Sequence, residues 1–419
     1  MKAEYRDNEK EFLDYYVMLR YAMNLPSQGN MTAGTDGKTI DAMSMERIDR
    51  LIAALKDESY KPFPSRRVYI PKKNGKKRPL GIPSVDDKLV QETVRMILSA
   101  IYENSFEDVS HGFRPSKRCH TALRQIQNRF VRCKWFVEGD IKGFFDNIEH
   151  EIMIKADKST DETERTEILA QINELDIQKR RIPCKNPMDS SFKRLQYVRY
   201  ADDFIIGIIG SKADAEKVKA DAGVFIMNML KLEMSDEKTL ITKATDKARF
   251  LGYDIRVTPQ KNQYKRTKNG VKARSFNGHI QLEVPTELIR KKLLSLEAMK
   301  IDLSTGTEIW KPVHRGKLAG REDLSILDQY NGEARGLCNY YSIANNRSKL
   351  HKFRYIMEYS MYKTFAFKYR TTKAKIIEKY RINKDFGIRY KAKDVTEKNE
   401  RSGKAVLRMT HIRKEQRSI

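Results

Sequence analysis

Apolar residues recur at helical spacing in Glu46–Lys56 (ERIDRLIAALK), where Ile48, Leu51, Ile52 and Leu55 share one face. The same spacing returns over 86–103, through Leu89, Val90, Val94, Ile97, Leu98 and Ile101, and predicts further helices over 117–130 and 212–230. Between the first two helices the pattern is extended. Arg67–Ile70 reads as a strand, a second short strand ends at Pro83, and the Asn74-Gly75 between them is a strong hairpin signal. Trp135–Ile141 (WFVEGDI) reads as a strand, and Gln196–Ile209 (QYVRYADDFIIGII) as two apolar strands around a tight Asp-Asp turn. Residues 155–180 are polar with weak helical character, and Arg249–Ile255 is strand-like. Pro285 suits a helix start. After it, helical stripes run through Ile289, Leu293 and Leu296, then Ile326, Tyr330, Leu337 and Tyr341, then Leu350, Phe353 and Met357. The pattern predicts an α+β part ending near residue 283, followed by an all-helical part, with no internal repeat.

At 419 residues the chain is long enough for two or three domains. No apolar run approaches the ~18 residues needed to span a bilayer, and the start, MKAEYRDNEKEF, is charged at once, unlike a secretory signal. Cys119, Cys133, Cys184 and Cys338 lie far apart, with no Cys-x-x-Cys pair and no histidine at zinc spacing. They read as free thiols in a reducing compartment. Charge alters the picture most. The net charge is +26, and the stretch Arg347–Ile419 holds 22 Lys+Arg against 7 Asp+Glu. Such an excess points to a polyanion. Nucleic acid fits better than an anionic membrane, because no long basic helix carries a Trp/Phe-rich face.

Three carboxylates stand out against this basic background. Asp140 ends an apolar strand, and Asp202-Asp203 sit at the tip of an apolar hairpin, where a plain turn would favour Asn-Gly or Asp-Gly. Adjacent carboxylates in an apolar setting repel each other and are poorly solvated, so they need a compensating cation. If the two segments are neighbouring strands, Asp140 and Asp202 converge at one sheet end. Hard oxygen ligands gathered there are what two Mg²⁺ ions require, with substrate phosphates completing the coordination.

The same residues carry a resemblance. Tyr200-Ala201-Asp202-Asp203 is similar to the YxDD box of reverse transcriptases, and Phe136–Ile148 (FVEGDIKGFFDNI) to the segment holding their first catalytic aspartate. Further motifs in the right order resemble group II intron reverse transcriptases and maturases. They are Gly29–Thr39 (GNMTAGTDGKT), the fingers hairpin Tyr69–Pro83, Ser110–Pro115 (SHGFRP), Lys238-Thr239, Phe250–Tyr253 (FLGY) and Gly332–Asn345 (GEARGLCNYYSIAN). The resemblance covers almost the whole chain. It implies right-hand fingers and palm around a small antiparallel sheet, then a helical thumb. By domain it implies an N-terminal extension over 1–60, fingers and palm over 61–283, a thumb or maturase domain over 284–370 and a basic tail over 371–419.

The resemblance also implies roles. Asp140, Asp202 and Asp203 would be catalytic, with Asp140, Asp202 and the Ile141 carbonyl on two Mg²⁺ ions. Lys72 and Arg78 would hold the incoming nucleotide's triphosphate, Arg114 would lie near the template or nucleotide, and Phe145 would exclude a 2′-hydroxyl. Lys238, Leu251, Gly252 and Tyr253 would meet primer and template. Expected partners are intron RNA, an RNA template, a DNA primer or target and dNTPs, in a cytoplasmic ribonucleoprotein with no membrane. The expected function is RNA-directed DNA polymerisation with splicing assistance. One block is missing. After Ile154 the chain enters a charged segment, and the family's Pro-Gln-Gly block and long palm helix have no counterpart, so the palm is shortened near 154–160. Loss of a pocket wall impairs positioning, which alone costs orders of magnitude in rate. The alternative is therefore a catalytically inactive, RNA-binding maturase or a degenerate remnant. No metal nuclease site is visible in 371–419.

Overall fold

The computed structural model describes residues 31–42, 44–71, 75, 77–142, 192–259, 265–266, 272–273, 278–382, 385–393 and 400–406. Lys72, Phe145, Cys184, residues 155–180 and the shortened stretch near 154–160 lie outside the described residues. The chain divides into two compact units, Met1–Asp108 and Val109–Ile419.

In the first unit, helix α1 (Met45–Lys56) precedes a hairpin of β1 (Arg66–Pro71) and β2 (Lys77–Ile82) and then helix α2 (Val85–Tyr102). The hairpin is antiparallel, with Ile70 opposite Arg78. Ser44 and Ser84 cap the two helices, each accepting a backbone N–H of the first turn. The Gly-Thr-Asp-Gly loop is fastened to this unit. Thr35 donates to the Pro64 carbonyl at 2.7 Å, and Lys88 donates to the Thr32 carbonyl at 2.9 Å. A Cβ at Gly34 would stand 2.7 Å from Ser84 Cα, so only glycine lets the loop lie this close.

The second unit is built on a five-stranded sheet. Its strands are β3 (Ser110–His111), β4 (Trp135–Gly139), β5 (Arg194–Tyr200), β6 (Asp203–Ile209) and β7 (Leu240–Lys243), in the order β3-β5-β6-β4-β7. Beyond Asp203, strand β6 carries no polar side chain, and both its faces are covered. Ile205 faces the main core with Phe136 and Val198, under helix α3 (Cys119–Arg129). Phe204, Ile206 and Ile208 face a second cluster with Val137, Ile141 and residues of helix α4 (Lys212–Leu230). A three-stranded sheet follows, β8 (Ala248–Phe250), β9 (Tyr253–Val257) and, beyond the short pair β10 (Lys265–Arg266) and β11 (Lys272–Ala273), β12 (Ile280–Glu283).

Beyond residue 283 the structure departs from the all-helical expectation. Helices α5 (Thr286–Ser295), α6 (Asp323–Tyr340), α7 (Leu350–Lys368) and α8 (Lys373–Lys379) are present. They are interleaved with a hairpin of β13 (Met299–Asp302) and β14 (Ile309–Pro312), and followed by a small sheet of β15 (Arg381–Ile382), β16 (Asp385–Lys393) and β17 (Glu400–Val406). The four-residue strands are too short for their alternation to stand out against helical spacing. The segment read as a basic tail thus holds regular structure, and Ile376, Phe386 and Ile388 join the main core. That core runs from Ala122 to Ile388 without parting at residue 283. No described helix is long and apolar enough to cross a membrane.

Candidate active site

Strand register brings the carboxylates together. In the β4–β6 ladder Gly139 lies opposite Phe204, so the next step outward sets Asp140 opposite Asp203. Tyr200 pairs with Asp203, leaving Ala201 and Asp202 as a two-residue loop. Ala201 has φ +55°, in the left-handed region that costs a non-glycine residue about 1–2 kcal/mol. The loop is held there from two sides. Its Ala201 N–H donates to the His111 carbonyl at 3.0 Å, and Arg199 Nε donates to the Ala201 carbonyl at 2.5 Å. Gly139 is required for a different reason. A Cβ there would stand 2.0 Å from the Phe204 ring, which lies across the end of β4.

The crowding has an electrostatic signature. Burial, then the neighbouring Asp202 and Asp140, push the Asp203 carboxyl up from 3.8 to about 6. Among the described residues one group relieves the charge at Asp203. The Lys238 ammonium donates to Asp140 Oδ2 and lies near enough to oppose the rise at Asp203. Its own proton is bound more tightly through the Asp140 hydrogen bond. Lys238 gets there because the segment after α4 extends the ladder. Ser235 N–H donates to the Asp140 carbonyl at 2.9 Å, Ile141 bridges Met234, and a turn closes from Ser235 to Thr239. Among the described residues no three acidic, histidine or cysteine side chains already stand at metal-binding spacing.

A second group lies on β8 and β9. Phe250 pairs with Tyr253, and the loop residues Leu251 and Gly252 both have positive φ, +46° and +72°, the pattern of a type I′ turn. Leucine is an unusual occupant. The C-terminal end of α6 holds the turn: Tyr340 donates its hydroxyl to the Leu251 carbonyl at 2.5 Å, and Tyr341 donates to the Gly252 carbonyl at 3.0 Å. Tyr253 is fully buried against both rings, and its hydroxyl donates to the Tyr340 carbonyl. The His120 ring reaches the same carbonyl at 2.7 Å.

The structure therefore gathers Asp140, Ile141, Asp202, Asp203 and Lys238 in one place and Leu251, Gly252 and Tyr253 in another. Lys238, expected to meet primer and template, has its ammonium on Asp140. Tyr253, expected likewise, is buried, and its side chain anchors the turn. Arg114 donates to the Ser110 carbonyl at 2.7 Å. Arg78 is exposed on β2, in the other unit. Sequence reasoning missed Gly139, Arg199 and the Tyr340–Tyr341 clamp. It also missed Glu138, which is buried in β4 and accepts Thr242 Oγ1 at 2.7 Å and Arg249 N–H at 2.8 Å, joining the two sheets. A buried glutamate in an apolar strand was the available signal. Cys119, Cys133 and Cys338 are free thiols.

Aspartates cluster at one end of the five-stranded sheet, and similarity to known proteins gives the family. The family model for reverse transcriptase (RNA-dependent DNA polymerase) matches residues 70–184, and that for type II intron maturase matches 277–417. The chain is 37% identical over 471 residues to the group II intron-encoded protein LtrA of Lactococcus lactis, covering 90% of this chain and 77% of the relative. It is 33% identical over 452 residues to the putative COX1/OXI3 intron 1 protein of Saccharomyces cerevisiae, covering 88% of this chain and 54% of the relative. A telomerase structure from Candida albicans matches with TM-score 0.31 and 12% identity over 74% of this chain and 59% of that one, too low a score to carry weight. The chain belongs to the group II intron-encoded reverse transcriptase/maturase family, and is an RNA-directed DNA polymerase by family. Both alignments with these relatives are longer than the 419-residue chain itself, so the relatives carry internal residues that this chain lacks.

Proposed function

We propose that Asp140, Asp202 and Asp203 are the catalytic carboxylates of this chain and that they hold two Mg²⁺ ions, with the Ile141 carbonyl as a further ligand. The observation that carries this reading is the unbalanced charge at the sheet end, where Asp203 is raised to about 6 and, among the described residues, one lysine offsets three aspartates. The donor set fits a hard divalent cation, which would relieve the same repulsion. Bound there, Mg²⁺ supplies the positive charge that activates a primer 3′-hydroxyl and stabilises departing pyrophosphate. The chain's own groups do the placing. The strained Ala201 loop presents Asp202 and Asp203, Gly139 admits the Phe204 ring at the end of its strand, and Lys238 offsets part of the cluster's charge between turnovers. The Leu251-Gly252 turn lies against the primer. Lys72 and Arg78 hold the dNTP phosphates, Arg by forked contacts and Lys as a point charge, Arg114 serves the template or nucleotide, and Phe145 excludes a 2′-hydroxyl.

In this reading residues 1–60 are an N-terminal extension, 61–283 the fingers and palm, 284–370 the thumb or maturase domain and 371–419 a basic C-terminal tail. The partners are intron RNA, an RNA template, a DNA primer and dNTPs, in a cytoplasmic ribonucleoprotein. A second reading is favoured by the longer alignments: an internally shortened palm leaves an RNA-binding maturase without polymerase activity.

Mg²⁺ titration tests the metal assignment. Binding must ionise Asp203, so near pH 6 it releases protons. The variant Asp202→Asn with Asp203→Asn should bind neither tightly nor with proton release. Equal binding by the variant and the parent would remove the assignment.

A further inference from the structure

A second site lies away from the carboxylates. Between the start of α5 and the β13–β14 hairpin a cavity of about 430 Å³ opens, walled by Thr286, Glu287, Arg290, Lys291, Glu308 and Trp310. Its size is within the ~300–1,000 Å³ of small-ligand pockets. Trp310 is half-buried but held still. Its Nε1–H donates to Glu308 Oε1 at 2.6 Å, Arg290 donates to the same oxygen at 2.7 Å, and the Lys352 ammonium lies 3.8 Å from the ring centroid. An indole fixed this way loses little freedom when something stacks on it.

The charges sort the ligand. Glu308 is held ionised, first by its hydrogen bond from Arg290. Glu287 and Lys291 have no ion-pair partner among the described residues. Two carboxylates on the wall oppose a phosphate inside the cavity, but they accept hydrogen bonds from the amino groups of a nucleobase. Cations lie around it: Lys291 on the wall, Lys349 donating to Thr286 Oγ1 at 3.3 Å, and Lys352 at the indole. A base inside with phosphates outside satisfies both sets. A duplex does not, because its base faces are already stacked. We propose that this cavity takes an unpaired, amino-bearing base of a single RNA strand, stacked on Trp310 with its phosphates toward Lys291, Lys349 and Lys352. The proposal rests on RNA being the polyanion this chain binds.

The chain has two tryptophans, Trp135 and Trp310. Trp135→Phe in the full chain leaves Trp310 as the only indole. The probe is a short unstructured ribo-oligonucleotide of alternating C and A, followed both by indole emission and by anisotropy of a label on the RNA. Saturable loss of Trp310 emission, tracking the anisotropy, is expected, with little loss on adding duplex RNA. Trp310→Ala should weaken oligonucleotide binding about 5- to 150-fold, the range for one base–aromatic stack. Lys291→Glu, at an exposed position, should weaken it with the emission spectrum unchanged. Binding seen by anisotropy with flat emission would overturn the site while leaving RNA binding intact, as would equal quenching by duplex. Absence of any RNA binding would remove the reading on which the proposal rests.

Discussion

Removing the lysine at the carboxylate cluster should produce a loss of stability that Mg²⁺ repairs. The Asp140 side chain is 14% exposed and that of Lys238 is 66% exposed. An exposed pair is worth about 0–1 kcal/mol, and breaking a buried one costs about 3–5. A half-sheltered pair beside two further aspartates falls between, so Lys238→Ala should cost about 1–3 kcal/mol in the absence of divalent cation. Urea denaturation of parent and variant, with and without saturating Mg²⁺, measures it. The pH dependence has a definite sign. Asp203 is raised from 3.8 to about 6, so the folded state binds a proton more tightly than the unfolded chain, and stability falls as pH rises through that window. Without the lysine the repulsion is greater, so the variant's deficit should grow on going from about pH 4 toward neutrality, as the carboxylates ionise. A deficit that ignores both pH and Mg²⁺ would refute the idea that Lys238 stands in for a cation.

Further outcomes follow from particular contacts. Gly139→Ala drives a methyl into the Phe204 ring and should cost about 1–3 kcal/mol, or more if β4 cannot shift, as read by the urea midpoint. Tyr340→Phe and Tyr341→Phe each remove a hydrogen bond to the Leu251-Gly252 turn, worth about 0.5–1.5 kcal/mol. In steady-state extension they should raise the KM for primer–template more than they lower kcat; the reverse split would place the turn elsewhere in the cycle. Glu333→Ala leaves the buried Arg315 guanidinium without its two-pronged partner and should destabilise the thumb by about 3 kcal/mol, while Arg315→Met with Glu333→Leu recovers most of it.

Much of the palm was legible because its strands have an unambiguous pattern. Trp135–Ile141 and the apolar runs flanking Asp202-Asp203 cannot be taken for helix, and acid at the tip of such a hairpin has few structural uses. The register that pairs Asp140 with Asp203 needed the structure. The hairpin of the thumb was not legible, since Met299–Asp302 and Ile309–Pro312 are too short to show a period. The strands at Asp385–Lys393 and Glu400–Val406 were hidden by basic composition. Long-range partners were out of reach for a simpler reason. Lys238 meets Asp140 across 98 residues and Tyr340 meets Leu251 across 89, and no local pattern encodes either contact. The strain at Ala201 and Leu251 is likewise a property of backbone held by distant groups.

Primer extension tests the central claim most directly. Purified chain, an RNA template, a DNA primer, dNTPs and Mg²⁺ would be compared with the Asp202→Ala, Asp203→Ala double variant, with RNA binding measured in the same samples. The account predicts Mg²⁺-dependent extension by the parent and none by the variant, with equal RNA binding by both. Tight RNA binding with no extension by the parent would contradict it and leave the chain as a maturase that holds RNA without copying it.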